Sequence, residues 1–350
     1  MTVKTWMQNT YRPLAKTSLI LVYLVILAGA VVRMTGSGMG CPDWPKCFGH
    51  LIPPTEEKEL LWAPEKPFKK GQVIIREEAL LLAREDFTSG PSFDESNWSP
   101  YTRHDYAVFN ATHTWIEYIN RLLGALAGLA MLALAVFSIS WWKEKKSRVL
   151  FAWVAVLAIG FQAWLGATVV YSVLEPVKIT LHMLMALIIV AMLLWMIHSS
   201  DTRPHGFKFD RLTYGIWWLT VPLSLVQILL GTQVRQFVDE QAETLGTAAK
   251  NLWLQDPEMV FYIHRSFSIL VLLLHLWAAY RVYKGRLGFD KIYASLGVLA
   301  GIIATGIAMN YFAFPWGSQP LHLVLASILF GLQWYALLEL IRVSRTRISS

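Results

Sequence analysis

Two short segments of this chain are near copies of one another: Tyr118-Ile119-Asn120-Arg121 and Tyr262-Ile263-His264-Arg265. Each stands near the start of a long apolar run. A second pair follows them, Leu181-His182-Met183-Leu184-Met185-Ala186 and Leu321-His322-Leu323-Val324-Leu325-Ala326. Histidine inside an apolar span is costly unless it faces the interior of a bundle and finds a partner there. Two imidazoles from facing helices suit an iron porphyrin, which they can ligate from both faces. His264 and His322 form such a pair, read here as bis-histidine ligands of a heme. Arg33, Arg121, Arg235 and Arg265 lie near the ends of the same runs. At headgroup level they would meet propionate carboxylates in charge-assisted pairs. His275 follows His264 by eleven residues, but its counterpart in the other copy is Met131, so it reads as structural. His198 and His205 read as cytoplasmic-end residues, and His50 and His104 as loop residues.

Such residues need membrane-spanning elements to hold them, and the bulk numbers agree. The 350 residues are 55% hydrophobic and only 16% charged, with a mean hydropathy of +0.42. Soluble domains carry roughly 25% charged residues. The net charge of +7 is carried mostly by residues that cap apolar runs, which argues against nucleic acid as a partner. Runs of about 20 apolar residues can cross a bilayer. Eight qualify: 17–35, 112–138, 149–171, 177–198, 212–235, 258–280, 291–314 and 320–341. The first is read as an uncleaved span, because no small-residue cleavage site follows it.

With eight spans, the basic N-terminus falls on one side with Lys143, Lys145, Lys146 and Arg148. Arg203, Lys208 and Arg211 join them, as do Arg281, Lys284, Arg286 and Lys291, and Arg342, Arg345 and Arg347 at the end. That side should be cytoplasmic, so both termini lie inside the cell's inner (plasma) membrane and the long first loop, 36–111, lies outside. Within it, Ile75, Ala79 and Leu82 recur at helical spacing among charged residues, which predicts an amphipathic surface helix over Gln72 to Asp86. Cys41 and Cys47 are the only cysteines. Two are too few for a cysteine-built metal cage, and an outside loop is where a disulfide can persist.

The motifs also imply a repeat. Gly29-Ala30-Val31-Val32-Arg33 ends span one and Gly231-Thr232-Gln233-Val234-Arg235 ends span five. Arg121 to Arg265 is 144 positions and His182 to His322 is 140. An even number of helices per copy keeps both copies in one orientation. The expected fold is therefore an all-α membrane protein of eight transmembrane helices. It is arranged as two tandem four-helix bundles related by a pseudo-twofold along the membrane normal. Residues 1–200 would form the N-terminal half and 201–350 the C-terminal half.

Over nearly its whole length the chain resembles heme A synthase, the membrane enzyme of cytochrome oxidase assembly. The resemblance is carried by Thr35-Gly36-Ser37-Gly38-Met39-Gly40-Cys41-Pro42-Asp43-Trp44-Pro45-Lys46-Cys47, by Glu117-X-X-Asn120-Arg121, and by the histidine pairs. It implies a b-type heme at His264 and His322 in the C-terminal half. It also implies heme O as substrate in the N-terminal half, at Glu117, Asn120 and His182, with a ring methyl oxidised to a formyl group. It pairs Cys41 with Cys47 in a disulfide.

Many members carry histidine where this chain has Asn120, and an amide is a poor iron ligand. That leaves heme O iron on His182 alone, with Asn120 as a hydrogen-bond donor on the open face. His113 shares the helical face of Asn120 and stays a cofactor-contact candidate, but two turns put it about 10 Å away. Glu117 has Phe261 as its counterpart, so the carboxylate belongs to the substrate half only. There it would relay protons or stabilise a cationic intermediate, with a salt bridge to Arg121 or Arg33 as the plainer reading. The resemblance also implies a membrane electron donor, with heme O synthase, oxidase assembly factors and a second copy of the chain as candidate partners. The rival class is a membrane heme-b electron-transfer or quinone-linked cytochrome subunit, which would hold two permanent hemes. Prenyl transfer is disfavoured, because no paired aspartate-rich motif is present to hold a magnesium diphosphate.

Overall fold

The computed structural model describes residues 2–201 and 206–348, the side chains of 346–348 excepted. Arg203, His205 and the Arg347 side chain lie outside the described residues. Among the described residues, eight helices are long and apolar enough to cross a membrane. They are α1 (Val3–Met34), α2 (Ala111–Ser138), α3 (Lys146–Tyr171), α4 (Pro176–Ser199), α5 (Arg211–Leu245), α6 (Met259–Gly285), α7 (Asp290–Tyr311) and α8 (Ser318–Ile348). All eight expected spans are present.

Their ends follow local chemistry. The Asn110 carboxamide accepts the His113 N–H at 3.1 Å and caps α2. Asp210 caps α5 through Thr213 N–H at 2.9 Å and also meets Arg281 at 2.8 Å. Pro176 opens α4, where its missing N–H costs nothing. The α5 helix runs ten residues past the expected 235, because its polar continuation turns Val238 onto Trp253 and Phe314.

Large apolar side chains point outward along the spans, among them Leu129, Leu157, Ile269 and Leu273. Water would not tolerate so much exposed apolar surface, whereas hydrocarbon is its natural surrounding, and a helix satisfies its backbone internally there. This is a multi-pass membrane protein.

By contact the described chain groups into two compact units, one formed by residues 24–128 and 159–183 and the other by the remainder. In the larger unit Trp217, Phe289, Ile292, Leu337 and Leu340 form the apolar core. A polar chain threads it: the Gln333 amide donates to Ser224 Oγ at 2.7 Å and contacts His275 Nε2 at 3.0 Å, while Trp217 Nε1 donates to the Gln333 carbonyl at 2.9 Å. His275 Nδ1 contacts the Val271 carbonyl at 2.8 Å. Both ring nitrogens of His275 are thus engaged by protein, in keeping with a structural role.

In the smaller unit the long loop is a folded β subdomain. Strands β1 (Pro67–Phe68) and β4 (Phe87–Thr88) pair, and β3 (Ala79–Ala83) lies between β2 (Val73–Arg76) and β5 (Trp98–Pro100). The surface helix expected over Gln72 to Asp86 is therefore wrong. The segment is an antiparallel hairpin, with Val73 opposite Leu82 and Arg76 opposite Ala79. Its turn is Glu77-Glu78, both at positive φ (51° and 60°). The physical reason lies in the two faces of the strand. Val73, Ile75, Leu80 and Leu82 pack with Cys41, Cys47, Phe48 and Leu60, while Ile74, Leu81 and Ala83 pack with Phe68 and Trp98. Both faces are apolar, so the period of two is hidden, and three β-branched residues in a row favour the extended chain.

Candidate functional site

In the larger unit, α5 to α8 build a site from two histidines and what faces them. His264 stands near the start of α6. The Gln227 amide on α5 donates to the His264 carbonyl at 3.0 Å. One turn on, Gly231 faces the ring so closely that a Cβ there would lie 3.1 Å from His264 Cε1. His264 Nδ1 is buried and has no hydrogen-bond partner. His322 stands near the start of α8. Its Nδ1 is 2.9 Å from Thr305 Oγ1 on α7, and Gly306 leaves the ring its space, a Cβ there falling 3.5 Å from Cε1. The two imidazoles lie within electrostatic reach of one another. Among the described residues, none hydrogen-bonds Nε2 of either ring.

The arginines of this unit differ. Arg235 is half-buried and pairs with Asp239 at 2.7 Å. Arg265 is exposed, with its guanidinium beside the rings of Phe261 and Tyr262.

The smaller unit holds the other candidates. His182 on α4 faces Gly166 on α3, where a Cβ would lie 3.2 Å from Cε1. The Gln162 amide donates to the His182 carbonyl at 3.0 Å and lies 3.3 Å from its Nε2, while Nδ1 is buried without a partner. Asn120 on α2 faces Gly29 on α1, its Oδ1 buried and unpartnered. The gap there is wider, 3.9 Å from Oδ1 to a Cβ on Gly29.

Glu117 is buried one turn before Asn120. Its Oε2 accepts the Cys41 N–H at 2.9 Å, and its Oε1 accepts from Arg121 Nε at 3.1 Å and Nη2 at 2.5 Å. Arg121 also donates to the carbonyls of Asp43 (2.5 Å), Lys46 (2.9 Å) and Cys41 (3.0 Å). A guanidinium has five N–H donors, and all five are engaged by protein here. Arg121 thus binds the 41–47 loop. Of the two salt bridges weighed for Glu117, the one to Arg121 forms.

Cys41 and Cys47 are disulfide-bonded. The loop sits tight on the start of α2: Thr114 Oγ1 donates to the Gly40 carbonyl at 2.7 Å, and a Cβ on Gly40 would meet the backbone of His113 and Thr114 within 2.5 to 2.7 Å. His113 is half-buried beneath it, and Arg33 is half-buried at the end of α1. In the same loop Asp43 accepts the Gly49 N–H at 2.8 Å. Burial pushes its carboxyl above the usual range, against the lowering effect of the Gly49 N–H and of Arg121.

Residues 12–72 and 66–334 match the family described as cytochrome oxidase assembly protein. The chain belongs to this family. Its relatives include proteins named heme A synthase. One from Bradyrhizobium sp. (strain ORS 278) is 26% identical over 94% of this chain and 90% of its own. One from Ehrlichia canis (strain Jake) is 25% identical over 90% and 89%. One from Brucella ovis is 26% identical over 88% and 84%.

For a member of the heme A synthase family, the structure adds residues that the motifs did not mark. They are Thr305, the glutamines Gln162 and Gln227, and the glycines Gly166 and Gly306 opposite His182 and His322. A signal for two of them is visible in the sequence: Gln-X-X-X-Gly occurs as Gln162 to Gly166 and again as Gln227 to Gly231. Thr305 has no such mark.

Proposed function

We propose that this chain converts heme O to heme A within the membrane. In the C-terminal half a b-type heme is held by His264 and His322, and in the N-terminal half heme O binds at His182. The observation that carries the reading is the pair of imidazoles with Nε2 uncommitted, in a membrane protein of the heme A synthase family.

The residues fit the group. Nε2 of His264 and of His322 has no protein partner among the described residues, Thr305 meets Nδ1 of His322, and two glycines clear space for the rings. Neutral imidazole nitrogens also suit iron. When bound, such a heme supplies one-electron redox chemistry for the substrate site. Two successive hydroxylations of one methyl carbon, each consuming dioxygen, two electrons from the donor and two protons and releasing water, give a diol whose loss of water leaves the formyl group.

On the substrate side, His182 contributes the ligand and Asn120 a hydrogen-bonding amide on the opposite side. Glu117, one turn from Asn120, is the carboxylate nearest this position along α2. Its bonds to Arg121 and the Cys41 N–H support an anchoring role, and a proton relay would have to loosen them. Turnover separates the two: a relay is lost in Glu117→Gln, whereas an anchor survives in part. Arg33, Arg235 and Arg265 stay assigned to the propionates, with His113 as a further contact. The basic loops support cytoplasmic termini and an outside first loop. The motif repeat supports the tandem halves, 1–200 and 201–350. A membrane electron donor completes the reaction, and heme O synthase or oxidase assembly factors are the expected neighbours.

The test is heme extraction and mass analysis from cells that make this protein with a heme O supply, beside a no-protein control. Heme A, or its alcohol precursor, should appear only with the protein and vanish in His182→Ala, while Asn120→Ala should only impair conversion. Heme B alone, with the protein expressed and heme O present, would move the assignment to an electron-transfer subunit.

A further inference from the structure

The hydrogen bonds of Thr305 bear on which nitrogen of His322 carries the proton. A threonine hydroxyl has one hydrogen to give and lone pairs to receive with. Thr305 Oγ1 lies 2.8 Å from the Ile302 carbonyl and 3.0 Å from the Gly301 carbonyl, both acceptors only. We assign its single hydrogen to these carbonyls, back along α7, a common bond for threonine in a helix. Toward His322 Nδ1, 2.9 Å away, the oxygen can only accept. The proton sits on Nδ1, and Nε2 keeps its lone pair.

We propose that Thr305 is a positioning residue: it fixes His322 as the Nδ1–H tautomer with Nε2 presented as a permanent iron ligand, and so makes this heme the resident one. The inference rests on the heme reading above and deepens it. Gly306, the next residue, lets the ring approach to that distance. At His182 the arrangement differs. The residue before Gly166 is Leu165, which can accept nothing, and Nδ1 is buried without a partner. The amide of Gln162 faces Nε2 instead, at 3.3 Å. That lone pair thus has a protein partner when no iron is there, as suits a ligand that must release its product. Partners that orient a ligating imidazole and raise its basicity typically change metal affinity 10- to 100-fold.

The test uses full-length protein in the His182→Ala background, where the C-terminal heme reports alone. Heme loss to excess apomyoglobin is timed, and the heme midpoint potential is measured. Thr305→Val keeps the shape and removes the acceptor. It should speed heme loss about tenfold or more and raise the midpoint potential, because a less basic imidazole favours the ferric iron less. Thr305→Ser keeps the acceptor and should behave as the parent does. Parental loss rate and potential in Thr305→Val would overturn the proposal, as would Thr305→Ser behaving like Thr305→Val, since packing of the methyl would then be the cause. Parent protein that holds no heme would overturn this proposal and the bis-histidine assignment together. An unchanged Thr305→Val in a protein that does hold heme leaves the assignment standing.

Discussion

Replacing Arg121 by Gln tests the claim that one guanidinium ties the outside loop to α2. The side chain is 13% exposed and the Glu117 carboxylate 5%, so solvent does little to replace what is removed. Four acceptors lose their donor: the Glu117 carboxylate and the carbonyls of Cys41, Asp43 and Lys46. The carboxylate dominates, because breaking a buried pair by removing one partner costs about 3–5 kcal/mol. The carbonyls add roughly 1 kcal/mol each at most, and the Gln amide can recover one of them. If opening of the loop off α2 is what relieves the strain, its free energy falls by about that amount. At about 1.4 kcal/mol per decade, amide exchange across 40–49 should rise by two to three powers of ten, or to the fully open limit. Hydrogen exchange read by mass spectrometry on detergent-solubilised protein resolves this, with the β2–β3 hairpin as internal reference. The Glu117→Gln/Arg121→Gln double variant removes the lone charge, so it should exchange more slowly than Arg121→Gln alone. Unchanged exchange over 40–49 in Arg121→Gln would refute the anchor. Equal exchange in the single and double variants would refute the charge argument.

Gly231→Ala should disturb the C-terminal site and Gly29→Ala should not, because the added Cβ falls 3.1 Å from His264 Cε1 in one case and 3.9 Å from Asn120 Oδ1 in the other. The electron paramagnetic resonance of the heme proposed at His264 and His322 should shift in Gly231→Ala only. The outside subdomain should lose stability on acidification. Burial holds His50 below its ordinary value, so between its unfolded pKa of about 6.5 and its lower folded pKa the unfolded chain binds more protons, and stability rises with pH. Proteolytic resistance of the loop followed from about pH 7.5 to about pH 5 should fall, and His50→Gln should flatten that fall. Asn-Gly in place of Glu77-Glu78 should stabilise the hairpin by about 1 kcal/mol, since both positions hold positive φ. A lower melting temperature of the subdomain would count against the turn assignment.

The spans were legible because a bilayer asks for length and apolarity, and neither depends on distant contacts. The paired histidines were legible for a related reason: a polar group in such a run stands out against its surroundings. The hairpin at 73–83 was not, because a strand with two apolar faces shows no alternation, and Ile75, Ala79 and Leu82 happen to fall at helical spacing. Arg121 was read as facing propionates, and the fold gives its N–H groups protein acceptors. The sequence shows an arginine near a span end, but only the fold brings the carbonyls of Cys41, Asp43 and Lys46 back over it. Thr305 is hidden differently. A threonine in a span looks like any other that bonds its own helix, and its second bond exists only because α8 brings His322 to it.

What the glycines do joins these points. In each successive pair of spans, a glycine on the first helix faces the ligand position on the second: Gly29 with Asn120, Gly166 with His182, Gly231 with His264, Gly306 with His322. A side chain at any of the last three would meet an imidazole at 3.1 to 3.5 Å, so the missing side chain is what lets the ring lie against the opposing helix. At Asn120 the smaller amide leaves 3.9 Å. The approach is closest at Gly231 and Gly166, and widest at Gly29, opposite the helix that Glu117 and Arg121 bind to the outside loop. On the heme reading proposed above, the wider contact falls on the substrate side, where one of the four positions carries an amide and not an imidazole.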